Sequence, residues 1–364
     1  MSEKTGENLS SFKIAATYIG TIVGAGFASG QEVLQFFSAF GLNGILGISL
    51  STLLFFVFGY MILRIGYALQ ASAYVEVVRF SNGKVIGTII DLIITIFLFG
   101  ALAAMIAGAG AIFDEQFHLS PWWGTTLMAV ITLITVIRGI DGVINAISIV
   151  VPVLLIAVLF IAIYGFYRSP ITAEDIQITH SLVGAAPNWV VAALNYASFN
   201  LVIAVAILAP MGANVEKTKT LFWGSLMGAL GLGIGVVAIY FSILSNITEV
   251  GAVEVPMIYI ASLLSPFIQL LFAVVLFAAV FSTAVSNLYG FVSRMHFVAD
   301  QHQIWVIIGT TAAAFLVSQV GFSTLVKYLY PAVGYGGFLF FAGLLYAWFT
   351  KKDQLQNKTE ANKG

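Results

Sequence analysis

Tyr18–Glu32 reads YIGTIVGAGFASGQE, and the backbone this stretch adopts decides the fold. It lies inside an apolar segment from about Phe12 to Phe40, yet it holds four glycines, Gly20, Gly24, Gly26 and Gly30, with small or hydroxyl residues between them. Each glycine costs a helix about 1 kcal/mol relative to alanine. A segment that crosses a bilayer unwinds only where protein or a water-filled cavity, not lipid, satisfies the freed backbone groups. A broken first helix therefore implies a cavity. The spacings Gly20-x-x-x-Gly24 and Gly26-x-x-x-Gly30 also suit close helix packing, and the two readings are compatible.

The surrounding composition says what kind of segment this is. Of 364 residues, 60% are hydrophobic and 9% charged, with a mean hydropathy of +1.01. Successive apolar runs long enough to cross about 30 Å of hydrocarbon make the chain an all-α polytopic membrane protein. The net charge of −1 and the lack of a basic patch give no footing for nucleic acid. With no cysteine, disulfides, thiolate catalysis and cysteine metal sites are excluded. The start, MSEKTGENLSSFK, is polar and lacks a short apolar core with a cleavage site, so the first span reads as retained.

Ten spans are expected, at about 12–40, 42–69, 85–112, 121–138, 141–167, 187–212, 218–246, 265–294, 303–320 and 323–349. Lysine and arginine near span ends mark the cytoplasmic face. With the N-terminus inside, thirteen of fifteen fall there: Lys4, Lys13, Arg64, Arg79, Lys84, Arg138, Lys217, Lys219, Arg294, Lys351, Lys352, Lys358 and Lys363, leaving Arg168 and Lys327 outside. Missing or adding one span would scatter these charges. The expectation is a cell-membrane protein of bacterial inner-membrane type with tails 1–11 and 350–364 in the cytoplasm.

Transporters are often two inverted halves whose corresponding helices are interrupted near the midplane. Here the halves are 12–167 and 187–349, joined by an external loop at 168–186. Five spans each is an odd number, so the second half inserts upside down. Its opening helix, NWVVAALNYASFNLVIAVAILAPMGAN, carries Asn195, Tyr196, Ser198 and Asn200 in an aliphatic run and is expected to break like the first. A second external loop, about 247–264, includes MIYIASLL, too short to span and a candidate lid.

At such breaks, half-helix N-termini attract a carboxylate and freed carbonyls suit sodium. The carbonyls of Gly20 and Val23 are assigned to the cation, the amides of Gly24, Ala25 and Gly26 to a substrate carboxylate, and Asn195, Tyr196, Ser198, Phe199 and Asn200 to the opposite wall. Interhelical hydrogen bonds without substrate contact explain Asn195 and Asn200 equally simply. In the eighth span Ala279, Ser282 and Thr283 share one helix face and offer hard oxygen ligands, although membrane serines and threonines ordinarily bond a helix backbone.

Charges inside a bilayer call for a functional hypothesis. Asp91 in the third span is a gating candidate, pairing with an arginine or titrating in a proton-coupled mechanism, and Arg64 is a gating candidate also explained by snorkelling at its helix end. Glu32 is placed to touch a substrate amino group, to carry a proton, or to face the outer vestibule. Phe97 and Phe99 in the third span are placed to cap a midplane site, one or the other facing inward. Tyr330-Pro331 and Gly334–Gly337 interrupt the tenth span and suit a helix that bends. The four histidines, His118, His180, His296 and His302, fall outside the spans.

YIGTIVGAGFASGQE, with the length and ten-span layout, resembles the YkvI-like group of bacterial amino-acid permeases, a branch of the amino acid–polyamine–organocation superfamily. The resemblance implies the LeuT-type five-plus-five inverted repeat with broken first and sixth helices. In sodium-coupled members one sodium lies between the first-helix break and an Ala-x-x-[Ser/Thr]-[Ser/Thr] segment on the eighth helix. The matching positions here are Gly20, Val23, Ala279, Ser282 and Thr283. The fifth span lacks the lysine that proton-coupled relatives place there. The function so implied is sodium-coupled import of an amino acid or similar zwitterion, with sodium as coupling ion, no cofactor and no catalysis. The alternatives are proton coupling and a non-transporting solute sensor of the spore-germination type. A divalent-metal carrier of this fold is disfavoured, since the Asp-Pro-Gly motif of such carriers is absent.

Overall fold

A computed structural model of the chain describes residues 9–138, 141–295 and 302–361, and all regular structure among them is helical. Lys4, Lys363, His296 and most of the 1–11 tail lie outside the described residues.

The first span is three helices in series, α1 (Ser11–Ile22), α2 (Ala25–Ala28) and α3 (Gln31–Phe36), closed by a 3-10 turn at Ser38–Phe40. Ser10 caps α1 by accepting from the Lys13 amide, which satisfies one donor that a helix start leaves orphaned. Next come α4 (Asn43–Leu69) and α5 (Tyr74–Phe117). The latter starts well before the 85–112 expected, because a preceding helical stretch joins it through Gly83, whose φ of 73° interrupts the helix. After α6 (Pro121–Arg138) and α7 (Asp141–Arg168), a short α8 (Ala173–Thr179) is held in the 168–186 loop by a Thr172–Asp175 capping box. Asn188 caps α9 (Trp189–Ala213), which leads to α10 (Thr218–Leu244). Two short helices, α11 (Ile247–Val250) and α12 (Pro256–Ser262), build the 247–264 loop. Ser265 caps α13 (Pro266–Val292), and α14 (Gln303–Ser318), α15 (Phe322–Thr350) and the polar α16 (Lys352–Ala361) complete the order.

Among the described residues seven helices, α4, α5, α6, α9, α10, α13 and α15, are long and apolar enough to cross a bilayer. The Pro152–Arg168 part of α7 and all of α14 are shorter apolar helices. The first span reaches membrane thickness only as α1, α2 and α3 together.

One expectation is corrected. The sixth span is not broken: α9 runs without interruption through Asn195, Tyr196, Ser198 and Asn200. These polar residues bond neighbouring carbonyls without displacing their own helix. Asn195 Nδ2 donates to the carbonyl of Pro331 at 2.9 Å and Ser198 Oγ to that of Gly334 at 2.9 Å, both on α15, while Asn200 Nδ2 returns to Tyr196 of its own helix at 3.0 Å. Pro331 lies inside α15, and the continuous helix α9 serves the proline-bearing part of its neighbour.

Packing is reciprocal. The start of the first half, α1, lies on the second helix of the other half, α10, and α9 lies in the same way on α4, while α5 runs between α13 and α15. Both crossings rest on glycine. A Cβ at Gly224, Gly228 or Gly231 on α10 would come within 2.7 Å of Ile14, 2.7 Å of Tyr18 and 2.6 Å of Ile19 respectively. On the other side, Gly66 of α4 abuts the backbone carbonyl of Ala209 and Gly212 of α9 abuts that of Leu63. Without a hydrophobic force between helices in lipid, such close backbone approach supplies the dispersion contacts that hold them together. Tyr18 adds a polar tie, its hydroxyl donating to the Phe55 carbonyl of α4 at 2.8 Å.

Because the obstacle at Gly66 and Gly212 is backbone, Gly66→Ala and Gly212→Ala each cost about 1–3 kcal/mol and lower the melting temperature of the purified protein. Gly309→Ala on α14, where an added Cβ meets nothing within 4 Å, leaves it unchanged or raises it.

Candidate functional site

The helical ladder of the first span stops where Val23 donates to Ile19 at 2.8 Å and resumes where Ala28 donates to Gly24 at 3.0 Å. Between these bonds Val23 (φ −72°, ψ 94°) and Gly24 (φ −113°, ψ −171°) are extended. The carbonyls of Gly20 to Val23 and the amides of Gly24 to Phe27 thus lie outside the ladder, oxygens on one side of the gap and N–H groups on the other. A Cβ at Gly24 would meet nothing within 4 Å, so the gap adjoins open space. The expected break is present at the residues named for it, Gly20 and Val23 flanking the carbonyl side and Gly24, Ala25 and Gly26 the amide side.

A second joint follows at Gly30, which takes a left-handed φ of 82° between α2 and α3. Ser29 pins it: its hydroxyl donates to the Gly26 carbonyl at 2.8 Å and accepts from the Gln31 amide at 3.2 Å. Its own carbonyl accepts from the Met257 amide at 3.0 Å. The start of α12, with Met257, Ile258 and Ile260 fully buried, therefore covers this joint, as a lid would. Glu254 extends the tie by accepting from Phe322 N–H and Ser323 Oγ at the start of α15, and Glu115 at the end of α5 accepts from the amides of Glu254 and Val255.

Glu32 lies on α3, 6% exposed. Its Oε1 rests against Gly26 so closely that a Cβ there would overlap it, and its Oε2 has no hydrogen-bond partner. The carboxylate is thus folded back over α2, beside the free amides. Tyr196 OH is also buried and unpartnered. Around these groups the rings form a continuous cluster: Phe36 is 5.5 Å from Tyr196 and 5.5 Å from Phe199, Phe199 is 5.1 Å from Tyr330, and Phe97 is 5.5 Å from Tyr330. Phe97 is thereby the inward member of the third-span pair. Phe99 turns away to Phe291 at 5.8 Å and is removed from the candidate site.

The remaining sequence candidates are placed as follows. Ser282 Oγ and Thr283 Oγ1 share a face of α13 and both donate to the Ala279 carbonyl, at 2.8 and 2.9 Å. That is the ordinary back-bond of hydroxyls in membrane helices. α13 packs against α2, just past the break. Asp91 pairs with an arginine, but with Arg294 and not Arg64. Arg294 Nη1 reaches Asp91 Oδ1 at 2.7 Å and Thr95 Oγ1 at 3.2 Å, and Nη2 reaches the Tyr74 hydroxyl at 2.5 Å, which in turn donates to Asp91. Arg64 lies over the Tyr67 ring, 5.5 Å from its centroid. It lines a separate surface cavity with Tyr60, Trp348 and Lys352.

Arg294 and Tyr74 carry the ion-pair network although nothing in their immediate sequence marks them, and Tyr330, marked in the sequence only as part of an interrupted tenth span, joins the aromatic cluster. Tyr74 and Arg294 lie 220 residues apart and meet only in the fold. The signal available beforehand was the charge at Asp91 inside an expected span, which called for a cation without naming it.

No family model matches the chain. The membrane protein YkvI of Bacillus subtilis (strain 168) is 30% identical over 336 residues, 92% of this chain and 95% of that protein. Protein YyaD of the same organism is 27% identical over 318 residues, 87% of this chain and 90% of that one. Among solved structures, MhsT in complex with L-phenylalanine matches with a TM-score of 0.63 at 17% identity, over 95% of this chain and 91% of that chain. A Na+-coupled sialic acid symporter, substrate-bound and outward-open, gives 0.58 at 14% identity over 93% and 79%. The manganese transporter of Eremococcus coleocola gives 0.56 at 14% identity over 97% and 85%. The likeness is one of fold, the LeuT type, and the three cargoes differ.

What Gly26 meets is the end of a flexible side chain. Gly26→Ala therefore costs less than Gly66→Ala, about 1 kcal/mol or less, and that cost disappears in the Glu32→Ala background. A thermal-unfolding double-mutant cycle measures both.

Proposed function

The chain belongs to the family of the Bacillus subtilis membrane protein YkvI, and we propose that it is a secondary transporter that imports an amino acid or similar zwitterion with sodium. The observation that carries this reading is the gap at Val23–Gly24, where four carbonyls and four amides leave the ladder side by side. Such a gap offers a cation and a carboxylate adjacent places in the middle of the bilayer. The carbonyls of Gly20 and Val23, with Ala279, Ser282 and Thr283 of α13, are the proposed sodium ligands. The amides of Gly24, Ala25 and Gly26 are proposed to meet the substrate carboxylate.

In this reading ten spans form two inverted halves, 12–167 and 187–349, with both termini in the cytoplasm. The ion pair of Asp91 and Arg294, with Tyr74 and Thr95, lies near the cytoplasmic end of the bundle and acts as an inner gate. The 247–264 loop, tied to Ser29, acts as the outer one. Alternating access is a rocking of one helix group against the other about the fixed gap.

One observation favours proton coupling as a second reading. Glu32 is buried and, among the described residues, has no cation beside it. A carboxylate so placed inside a span is a candidate proton carrier. Asp91 is less suited to that part because Arg294 holds it.

Uptake into proteoliposomes separates the readings. An imposed sodium gradient drives accumulation of a labelled amino acid, and the double variant Ser282→Ala/Thr283→Ala loses that dependence. Accumulation that follows a pH gradient and ignores sodium contradicts the sodium assignment.

A further inference from the structure

Glu32 holds more information about the cargo than its burial alone suggests. The residue four positions on, Phe36, shares its helix face and touches both Tyr196 and Phe199 of α9 at 5.5 Å. Tyr330 of α15 continues the same wall from Phe199 at 5.1 Å. Glu32 therefore sits one helical turn from a box of aromatic rings packed on one another, and its Oε2 and the Tyr196 hydroxyl are both buried and unpartnered.

Three physical points bear on what fits there. A buried carboxylate is stable as an anion only beside a positive group, and among the described residues no side chain of this chain supplies one to Glu32. Aromatic faces and tyrosine oxygens favour a desolvated cation. An ammonium brings three donors, matching two or more acceptors at the box. Finally, α9 is continuous, so its carbonyls stay in their own ladder and offer a positive nitrogen nothing. On that side of the gap the buried oxygens without a partner include Glu32 Oε2, the Tyr196 hydroxyl and Asn195 Oδ1, and of these Glu32 alone belongs to an acidic side chain. A cargo carboxylate on the amides of Gly24 to Gly26 would lie next to Glu32 itself and be repelled, unless an ammonium lay between the two.

We propose that Glu32 with the wall of Phe36, Tyr196, Phe199 and Tyr330 is an ammonium subsite, so that the cargo is held through its primary amine and its carboxylate is dispensable. The assignment rests on the transport reading above and shifts its substrate class from zwitterions to primary amines, with or without a carboxylate.

The test is ligand-induced thermal stabilisation of the full-length protein in lipid nanodiscs. The panel is the proteinogenic amino acids, each with the amine left by removing its carboxyl group and the acid left by removing its amino group. The expected result is that the amino acid and amine of at least one set stabilise, the acid of that set does not, and Glu32→Gln weakens the apparent affinity for the amine tenfold or more. Glu32→Gln without ligand is expected to melt at or above the wild-type temperature, since a neutral amide replaces a buried charge. An acid that stabilises while its amine does not, or Glu32→Gln binding the amine as wild type does, overturns the subsite and leaves the transport reading standing. A panel in which nothing stabilises overturns both. Should Glu32→Gln fail to fold, the wild-type panel still decides between amine and acid.

Discussion

Every structural choice around the first span follows from one constraint: inside a bilayer a backbone polar group needs a partner that lipid cannot provide. From Gly20 to Phe27 the chain withholds helical partners from four carbonyls and four amides. That arrangement persists only if protein closes round the gap and keeps lipid away. The glycines of α10 seat α1 tightly on one side, Tyr18 ties it to α4, and Met257 of α12 covers the Ser29–Gly30 joint on the other. The contacts that stabilise the fold are thus also the walls of the candidate site.

Two carboxylates within the expected spans are placed in different ways, Asp91 half exposed and paired, Glu32 buried. Asp91 lies in a network of Arg294, Tyr74 and Thr95, a fixed ion pair joining α5 to the end of α13. Glu32 has no such network and leans on a glycine with one oxygen unpartnered. A group left in that state adds no stability to the resting fold, and its place beside the free amides makes it the side chain best positioned to answer a bound solute.

Much of this was legible in the residues. Four glycines within a spanning segment pointed to the break and to its position, because each weakens a helix and only glycine takes the left-handed joint at Gly30 so cheaply. The charge at Asp91 announced an ion pair with an arginine. The short apolar run in the 247–264 loop announced a cover. The sixth span was misread for a specific reason: asparagine and serine in a membrane helix look alike whether they relieve their own backbone or a neighbour's. Here Asn195 and Ser198 serve the carbonyls of Pro331 and Gly334 on α15, a fact that depends on which helices touch. The choice between Phe97 and Phe99 was hidden likewise, since the two are only two residues apart and the rotation of α5 about its axis is set by contacts with α9 and α15. Whether Ser282 and Thr283 turn from their back-bonds to an ion is a question of state and not of pattern.

The central claim is that the first span is open at Val23–Gly24 while the sixth is closed throughout. Amide hydrogen exchange in lipid nanodiscs, resolved over Gly20–Phe27 and over Asn195–Asn200, measures this directly. The account predicts exchange of the Gly24–Phe27 amides faster by orders of magnitude than that of the α9 segment, whose amides remain protected. Equal protection of the two stretches, or rapid exchange in both, would contradict it.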